Sequence, residues 1–419
     1  MAKPQRRGGW NLPVSLLFWV LCFVAGLLFV WVTNRFAYYR SRQVLFVVGI
    51  LMMIFSAVIS VFTLIRHRSM QHLLDKTRRQ RGPKVVAIGG GTGLSALLRG
   101  LKGFTENITA VVTVADDGGS SGRLRKEMGV IPPGDIRNCI MALADAEPVM
   151  DKLMQYRFKD GDLSGQSLGN LLIAALSDMN DGGFMEAVTN LSEVLAVTGR
   201  VLPVSLSNIV LHAQLRDGTV VSGESAIPKM KLEKDSQIYR TFITPEDAKP
   251  LPEVLQAIAE ADLIVMGPGS LYTSIIPNLL VKGVAEAIGA SKALRVYVGN
   301  IMTQPGETDG YTLADHVHAI TKHGQGRMVD VIVANRDMDG VPEAVLSRYR
   351  EDGAEPVQID RERLERKGIT ILEVPLVRLT AGAVRHNPEA LQEVIERIYR
   401  QRADRDWRYL GLWEELNGL

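Results

Sequence analysis

The chain has 419 residues, 46% of them hydrophobic, and a formal net charge of +2. That length predicts two domains, or one large domain with additions. The charge is unevenly held: residues 1–84 carry 13 Lys and Arg against one Asp, and the remainder carries 35 basic and 45 acidic residues. The main body is therefore acidic, which excludes a broad nucleic-acid-binding face. The two cysteines, Cys22 and Cys139, exclude a disulfide framework and suit a reducing compartment.

Two uncharged apolar runs come first, residues 12–33 and 44–65. Each is long enough to cross a hydrocarbon core of roughly 30 Å as a helix. The first exceeds a signal-peptide core and the second follows at once, so residues 1–66 are predicted to form a two-helix membrane hairpin. Lys3, Arg6 and Arg7 precede it, Arg35, Arg40 and Arg42 lie in its turn, and seven basic residues from Arg66 to Lys84 follow it. The largest cluster predicts a cytoplasmic C-terminal side: a multi-pass protein of the cytoplasmic (inner) membrane with its main domain in the cytoplasm. Residues 67–84 read as a basic linker able to lie on anionic lipid.

From residue 85 the pattern changes. Val85-Val86-Ala87-Ile88 meets Gly89-Gly90-Gly91-Thr92-Gly93, and an apolar helical pattern follows: strand, phosphate-binding turn, helix. A second buried strand over residues 107–115 ends in Asp116-Asp117-Gly118-Gly119-Ser120-Ser121-Gly122-Arg123. Asp135 is predicted to cap a helix running to about Ala146, and a further helix follows Ser167-Leu168-Gly169-Asn170. Residues 186–197 read as helix. Asp217-Gly218 between alternating residues signals a hairpin, placing residues 205–245 in a small antiparallel excursion. A strand over 262–266 ends in Gly267-Pro268-Gly269-Ser270. Another over 294–298 ends in a polar loop holding Asn300, Gln304, Glu307, Thr308 and Asp309. A helix from about Leu313, strands at 329–334 and 369–374, and a helix over 388–400 complete a nucleotide-binding domain of residues 85–400. Strands alternating with helices predict a parallel α/β sheet with its ligand beyond the carboxyl ends of the strands. The tail, residues 401–419, holds Trp407, Tyr409, Leu410, Leu412 and Trp413, apolar enough to pack on the core or dock a partner.

The chemistry follows from those loops. Gly90, Gly91, Thr92 and Gly93 suit a diphosphate, with Ser120, Ser121 and Arg123 as hydroxyl and guanidinium donors. Asp116 and Asp117 suit ribose hydroxyls or Mg²⁺. Gly119, Asn138, Gly169, Asn170, Gly267, Gly269, Ser270, Asn300, Gln304 and Glu307 complete the candidate site. No Gly-x-x-x-x-Gly-Lys-Ser/Thr loop, His-Glu-x-x-His motif or paired Cys-x-x-Cys occurs, which argues against a P-loop ATPase and a zinc site. His316 and His318 point apart on a helix and, with Asp315 and His323, read as a solvated face rather than a metal site.

These motifs together resemble the YvcK family, also called gluconeogenesis factors: Ala87-Ile88-Gly89-Gly90-Gly91-Thr92-Gly93-Leu94, Ala115 through Leu124, Pro133-Gly134-Asp135-Ile136-Arg137-Asn138, Leu168-Gly169-Asn170, Gly267 through Ser274 and Asn300 through Tyr311. The family is related to CofD, the 2-phospho-L-lactate transferase of coenzyme F420 synthesis. The resemblance runs from about residue 84 to 398. It implies a Rossmann-like three-layer α/β sandwich. It also implies a UDP-sugar ligand such as UDP-N-acetylglucosamine and a link to cell shape, cell-wall synthesis and gluconeogenic growth. No established catalysis attaches to YvcK-like proteins and no cofactor is certain. The CofD branch moves a phospholactyl-type group from a guanylyl donor to Fo, with Mg²⁺ on aspartate; here Asp116 or Asp117 would take that place. Cell-wall or signalling proteins and a second copy of the chain are the implied partners. The two apolar spans are an addition that many members lack.

Overall fold

The computed structural model describes residues 14–36, 39–145, 148–179 and 183–401. The predicted tail beyond residue 401 and the start of the first predicted span lie outside these. The chain divides into two compact units, Met1–Arg78 and Arg79–Leu419.

In the first unit, helix α1 (Val14–Phe36) packs on α2 (Tyr39–Gln80). The Ser56 hydroxyl donates to the Trp19 carbonyl, and the Trp19 ring meets Phe55 edge-on with centroids 6.0 Å apart. Among the described residues only Phe46–His67 is long and apolar enough to cross a membrane, with mean hydropathy 2.6. The apolar stretch of α1, Trp19–Val32, is shorter than that, so the expected pair of spans reduces to one qualifying helix. The expected basic linker is different too. Helix α2 runs through it to Gln80, because residues 66–80 contain neither Gly nor Pro and nothing interrupts the helix before Gly82-Pro83.

Among the described residues the second unit has twelve strands: β1 (Val85–Gly89), β2 (Ile108–Val112), β3 (Arg200–Pro203), β4 (Val210–Leu215), β5 (Val220–Ser222), β6 (Ile238–Thr244), β7 (Leu263–Met266), β8 (Leu294–Val298), β9 (Val331–Asn335), β10 (Thr370–Val374), β11 (Val377–Thr380) and β12 (Ala383–His386). Seven form one sheet in the order β3-β2-β1-β7-β8-β9-β10, every neighbouring pair parallel. Its strands are buried on both faces, which is why they read as unbroken apolar runs. Val85 and Ala87 of β1 face one helix layer, holding α3 (Gly91–Phe104), α5 (Gly134–Leu143) and the last helix, Pro388–Gln401. Val86 and Ile88 face the other, with Val254, Ile258, Val284 and Val317. Between α3 and α5 in sequence lies α4 (Gly119–Met128); α6 (Pro148–Gln155) and α7 (Leu168–Met179) follow. This is the expected Rossmann-like α/β architecture. The expected antiparallel excursion is the sheet β5-β4-β6, and a hairpin, β11-β12, stands apart.

Register fixes where the site lies. Val85 of β1 pairs with Ile108 on one side and Leu263 on the other. From β1 the chain builds outward through β2 and β3, then returns to lay β7 against the free edge of β1. The order of strands reverses at β1/β7, and a crevice opens beyond the carboxyl ends of these two strands.

A candidate nucleotide cleft at the switch point

Gly90 leaves β1 extended, and α3 starts at Gly91 with φ +64°, a left-handed conformation open to glycine. The cap residue Gly90 has no side chain to close the start of α3, so apart from the Gly91 N–H, which faces Asp135, its first-turn N–H groups remain available for an anion. Across the crevice β7 ends in Gly267-Pro268-Gly269-Ser270. The two turns touch: a Cβ on Gly93 would lie 2.4 Å from the Pro268 carbonyl oxygen, so only glycine fits. Asn300, directly after β8, clamps the second turn by accepting from the Gly269 N–H (3.2 Å) and donating to the Gly269 carbonyl (2.9 Å). Behind it a chain of polar groups runs inward. Ser270 Oγ donates to Gln304 Oε1 (2.7 Å), and Gln304 Nε2 donates to Glu307 Oε1 (2.9 Å). Thr273 Oγ1 donates to the same oxygen (3.0 Å), and the Tyr272 N–H to Glu307 Oε2 (3.2 Å). Burial pushes the Glu307 carboxyl up to about 7.

Gly90, Gly91, Thr92, Gly93, Gly269, Ser270, Asn300 and Gln304 line one cleft of about 630 Å³. Its other wall comes from residues the sequence reading did not single out: Arg99 of α3, Tyr349, and Arg378, Arg385 and His386 of the β11-β12 hairpin. The Tyr349 hydroxyl accepts from the Val384 N–H (3.0 Å) and steadies the hairpin. Burial holds His386 down at about 4, so it is neutral and its Nε2–H donates to the Gly299 carbonyl at 3.0 Å. Ala381-Gly382 between Val377-Arg378-Leu379-Thr380 and Ala383-Val384-Arg385-His386 was the available signal. Both turn residues have positive φ, as a tight hairpin demands.

The remaining candidates lie outside that lining. Ser120 and Ser121 are buried and committed. Ser120 Oγ accepts from the Ser167 N–H (3.1 Å) and Asn170 Nδ2 (3.1 Å), and Ser121 Oγ accepts from the Gly134 N–H (3.1 Å). The Gln166 amide bridges Ser120 and Arg123, at 2.5 Å and 3.1 Å. Arg137 Nη1 donates to Asn170 Oδ1 (2.8 Å) and Nη2 to Asn138 Oδ1 (2.8 Å), while Gly169 packs against the Met154 carbonyl. These groups bind one another and brace α4, α5 and α7. Gly119 opens α4, and Gly267 begins the β7 turn at φ +75°.

Asp116 and Asp117 end the β2 segment. Asp116 Oδ1 accepts from the Gly118 N–H and Asp117 Oδ1 from the Ser225 N–H, each at 2.9 Å. Asp135 is not the helix cap expected of it. Pro133 occupies the cap position, and the Asp135 carboxyl turns across to accept the Gly91 N–H. Burial pushes Asp135 up to about 7, and the charge of Asp116 adds to the rise. Burial likewise lifts Glu224 to about 8, with Asp116 and Glu307 contributing. Among the described residues no three His, Cys, Asp or Glu are grouped to hold a metal ion. Two neighbouring carboxylates fit Mg²⁺ only in partnership with a ligand's phosphate oxygens, the usual mode for that ion. His316 is not on a solvated face as expected; it is buried, with Nδ1 bonded to the Thr312 carbonyl at 2.9 Å. His318 is exposed.

Comparison with known proteins agrees with this architecture. The family model described as 2-phospho-L-lactate transferase CofD matches residues 85–377. The gluconeogenesis factor of Bacillus subtilis is 49% identical over 314 residues, covering 75% of this chain and 97% of that protein. The chain belongs to the YvcK family of gluconeogenesis factors. A relative from Nostoc sp. is 47% identical over 393 residues, 91% of this chain and 84% of its own. A crystal structure of a Bacillus halodurans member of the UPF0052 family superposes with TM-score 0.71 at 50% identity, covering 75% of this chain and 98% of that one. The family model thus covers the seven-stranded sheet and the glycine turns of the cleft, while Arg378, Arg385 and His386 lie past its end at residue 377.

Proposed function

We propose that this chain is a membrane-anchored regulatory protein that binds a nucleotide-diphosphate sugar of the UDP-N-acetylglucosamine type in the switch-point cleft. One observation carries the reading. Two bare-backbone turns, at Gly90–Gly93 and Gly267–Ser270, meet at a helix start, and Arg99, Arg378 and Arg385 line the same cleft. A diphosphate takes N–H groups on one side and guanidinium groups on the other. Of the lining hydroxyls, Ser270 bonds to the Gln304 amide and Thr303 accepts the Glu355 N–H, neither partner a general base, which suits a sensor. In this reading Phe46–His67 anchors the chain in the cytoplasmic membrane, with α1 as a second span, and the domain reports ligand status to cell-wall or central-carbon machinery. The test is calorimetry of the full chain in mild detergent with UDP-N-acetylglucosamine, UDP, GDP and NAD. Uridine nucleotides are expected to bind, and no binding at millimolar concentration ends the proposal.

A second reading, a CofD-like transferase, is favoured by the buried Asp135 carboxyl beside Gly90 and Gly91, which feels the charge of Asp116. Those two carboxyls would hold Mg²⁺, which supplies charge neutralisation for a diphosphate. The chain's own part would be to position the donor and exclude water. Release of GMP from a guanylyl donor with Fo and Mg²⁺ would establish it; absence of GMP removes it.

A further inference from the structure

A second cavity, of about 790 Å³, shares no lining residue with the cleft. It forms where the antiparallel sheet meets the helix Leu313–Gly324, among Arg216, Tyr239, Tyr272, Tyr311, His318 and Lys322. Its size is within the range of small-molecule sites.

The charge of its lining is unbalanced. Asp315 is the one acid there, and it is already taken: Oδ1 pairs with Arg363 at 2.9 Å and Oδ2 accepts the Thr312 N–H at 3.0 Å. Lys322 Nζ lies 4.0 Å over the Tyr239 ring and donates to the Tyr239 carbonyl at 2.6 Å, and among the described residues its charge has no counter-ion. Arg216 has no carboxylate partner among the described residues, and its charge acts on both Tyr272 and Tyr311. Opposite these cations the two phenols bond to each other, oxygen to oxygen, at 2.9 Å. The amides of Gln214 and Gln237 add further polar groups, and the exposed Tyr239 ring offers a flat apolar face. Guanidinium and ammonium together select phosphate oxygens, phenols and amides select hydroxyls, and an exposed ring packs on a sugar face.

We propose that this cavity is a second binding site, for a small phosphate ester bearing several hydroxyl groups, with the phosphate held by Arg216 and Lys322. The site is independent of what occupies the switch-point cleft. It also reaches the wall of that cleft, since Tyr272 bonds through its N–H to Glu307, which is joined through Gln304 to Ser270.

The test is calorimetry of the full chain in detergent, with fructose 6-phosphate as probe and fructose and inorganic phosphate as comparisons. Fructose 6-phosphate is expected to bind one to one, more tightly than inorganic phosphate, with fructose silent. Arg216→Gln and Lys322→Gln should each weaken it by about tenfold or more, as loss of a charge-assisted hydrogen bond does. Both side chains are exposed, and circular dichroism confirms that the variants fold. Arg385→Ala, in the cleft, should leave the probe's affinity unchanged. Three results overturn the proposal: no binding at about 10 mM, undiminished binding in the Arg216→Gln/Lys322→Gln double variant, or loss of binding in Arg385→Ala. Titration of UDP-N-acetylglucosamine into the same variants reads the cleft separately, so the two sites can fail independently.

Discussion

Asp135 holds the phosphate turn by its Gly91 N–H, and its carboxyl is raised from 3.8 to about 7 by burial and by Asp116. A buried acid binds its proton more tightly folded than unfolded. Its contribution to stability is therefore full below about pH 4, is lost as pH climbs to about 7, and then levels off. The loss is at most about 1.4 kcal/mol per pH unit for one group. Asp135→Asn is expected to flatten that slope in urea denaturation of the full chain followed across pH 4–8. At Gly91 a β-branched side chain meets a left-handed backbone, with its Cβ 3.7 Å from Asp135 Oδ1 at the mouth of the proposed phosphate turn. Gly91→Val is expected to cost about 1–3 kcal/mol of strain and to abolish nucleotide binding in calorimetry. Glycines such as these were legible because their demands are local to one turn. The role of Asp135 was not, because it depends on Gly91 and Asp116, which only the folded chain brings to it. Ser120 and Ser121 misled for the same reason. Hydroxyls next to glycines read as phosphate donors, yet the fold spends them on Ser167, Asn170 and Gly134.

Among elements, the strands of the main sheet were the most readable, because burial on both faces leaves unbroken β-branched runs. The β11-β12 hairpin was missed: its two strands are four residues each, lack the unbroken burial of the main sheet, and carry a mixture of charge and apolarity. Yet it supplies Arg378 and Arg385 to the cleft. Arg385→Ala is expected to weaken UDP-N-acetylglucosamine by about ten- to a hundredfold without lowering the melting temperature, since the side chain is exposed and charge-assisted hydrogen bonds contribute about 1.5–3 kcal/mol. An unchanged affinity would place the diphosphate away from the hairpin. Helix α2 shows the opposite error. A basic composition read as a linker on anionic lipid, but Arg, Lys, Gln and Leu are good helix formers, and without a breaker the helix continues.

For the whole molecule, the strand order follows from alternating strand and helix signals only up to its direction. That β7 returns to the edge of β1, and so sets the crevice there, is a matter of long-range pairing no local pattern contains. The membrane anchor is a prediction at this scale. The full chain should sediment with membranes and resist extraction by high salt, while residues 79–419 alone should stay in the supernatant. Salt-extractable full chain would leave only an electrostatic attachment. The contact of Gly93 with Pro268 has a mechanical side. The sheet is laid down in two halves, one running outward from β1 and the other from β7, and at Gly93 and Pro268 backbone interlocks with backbone across their upper rim. A ligand straddling that rim would work as a rivet through overlapping plates and is expected to slow amide exchange in α3 and in the Gly267–Ser270 turn together. Gly93→Ala, by prising the plates apart, should speed exchange in both at once, even with the cleft empty.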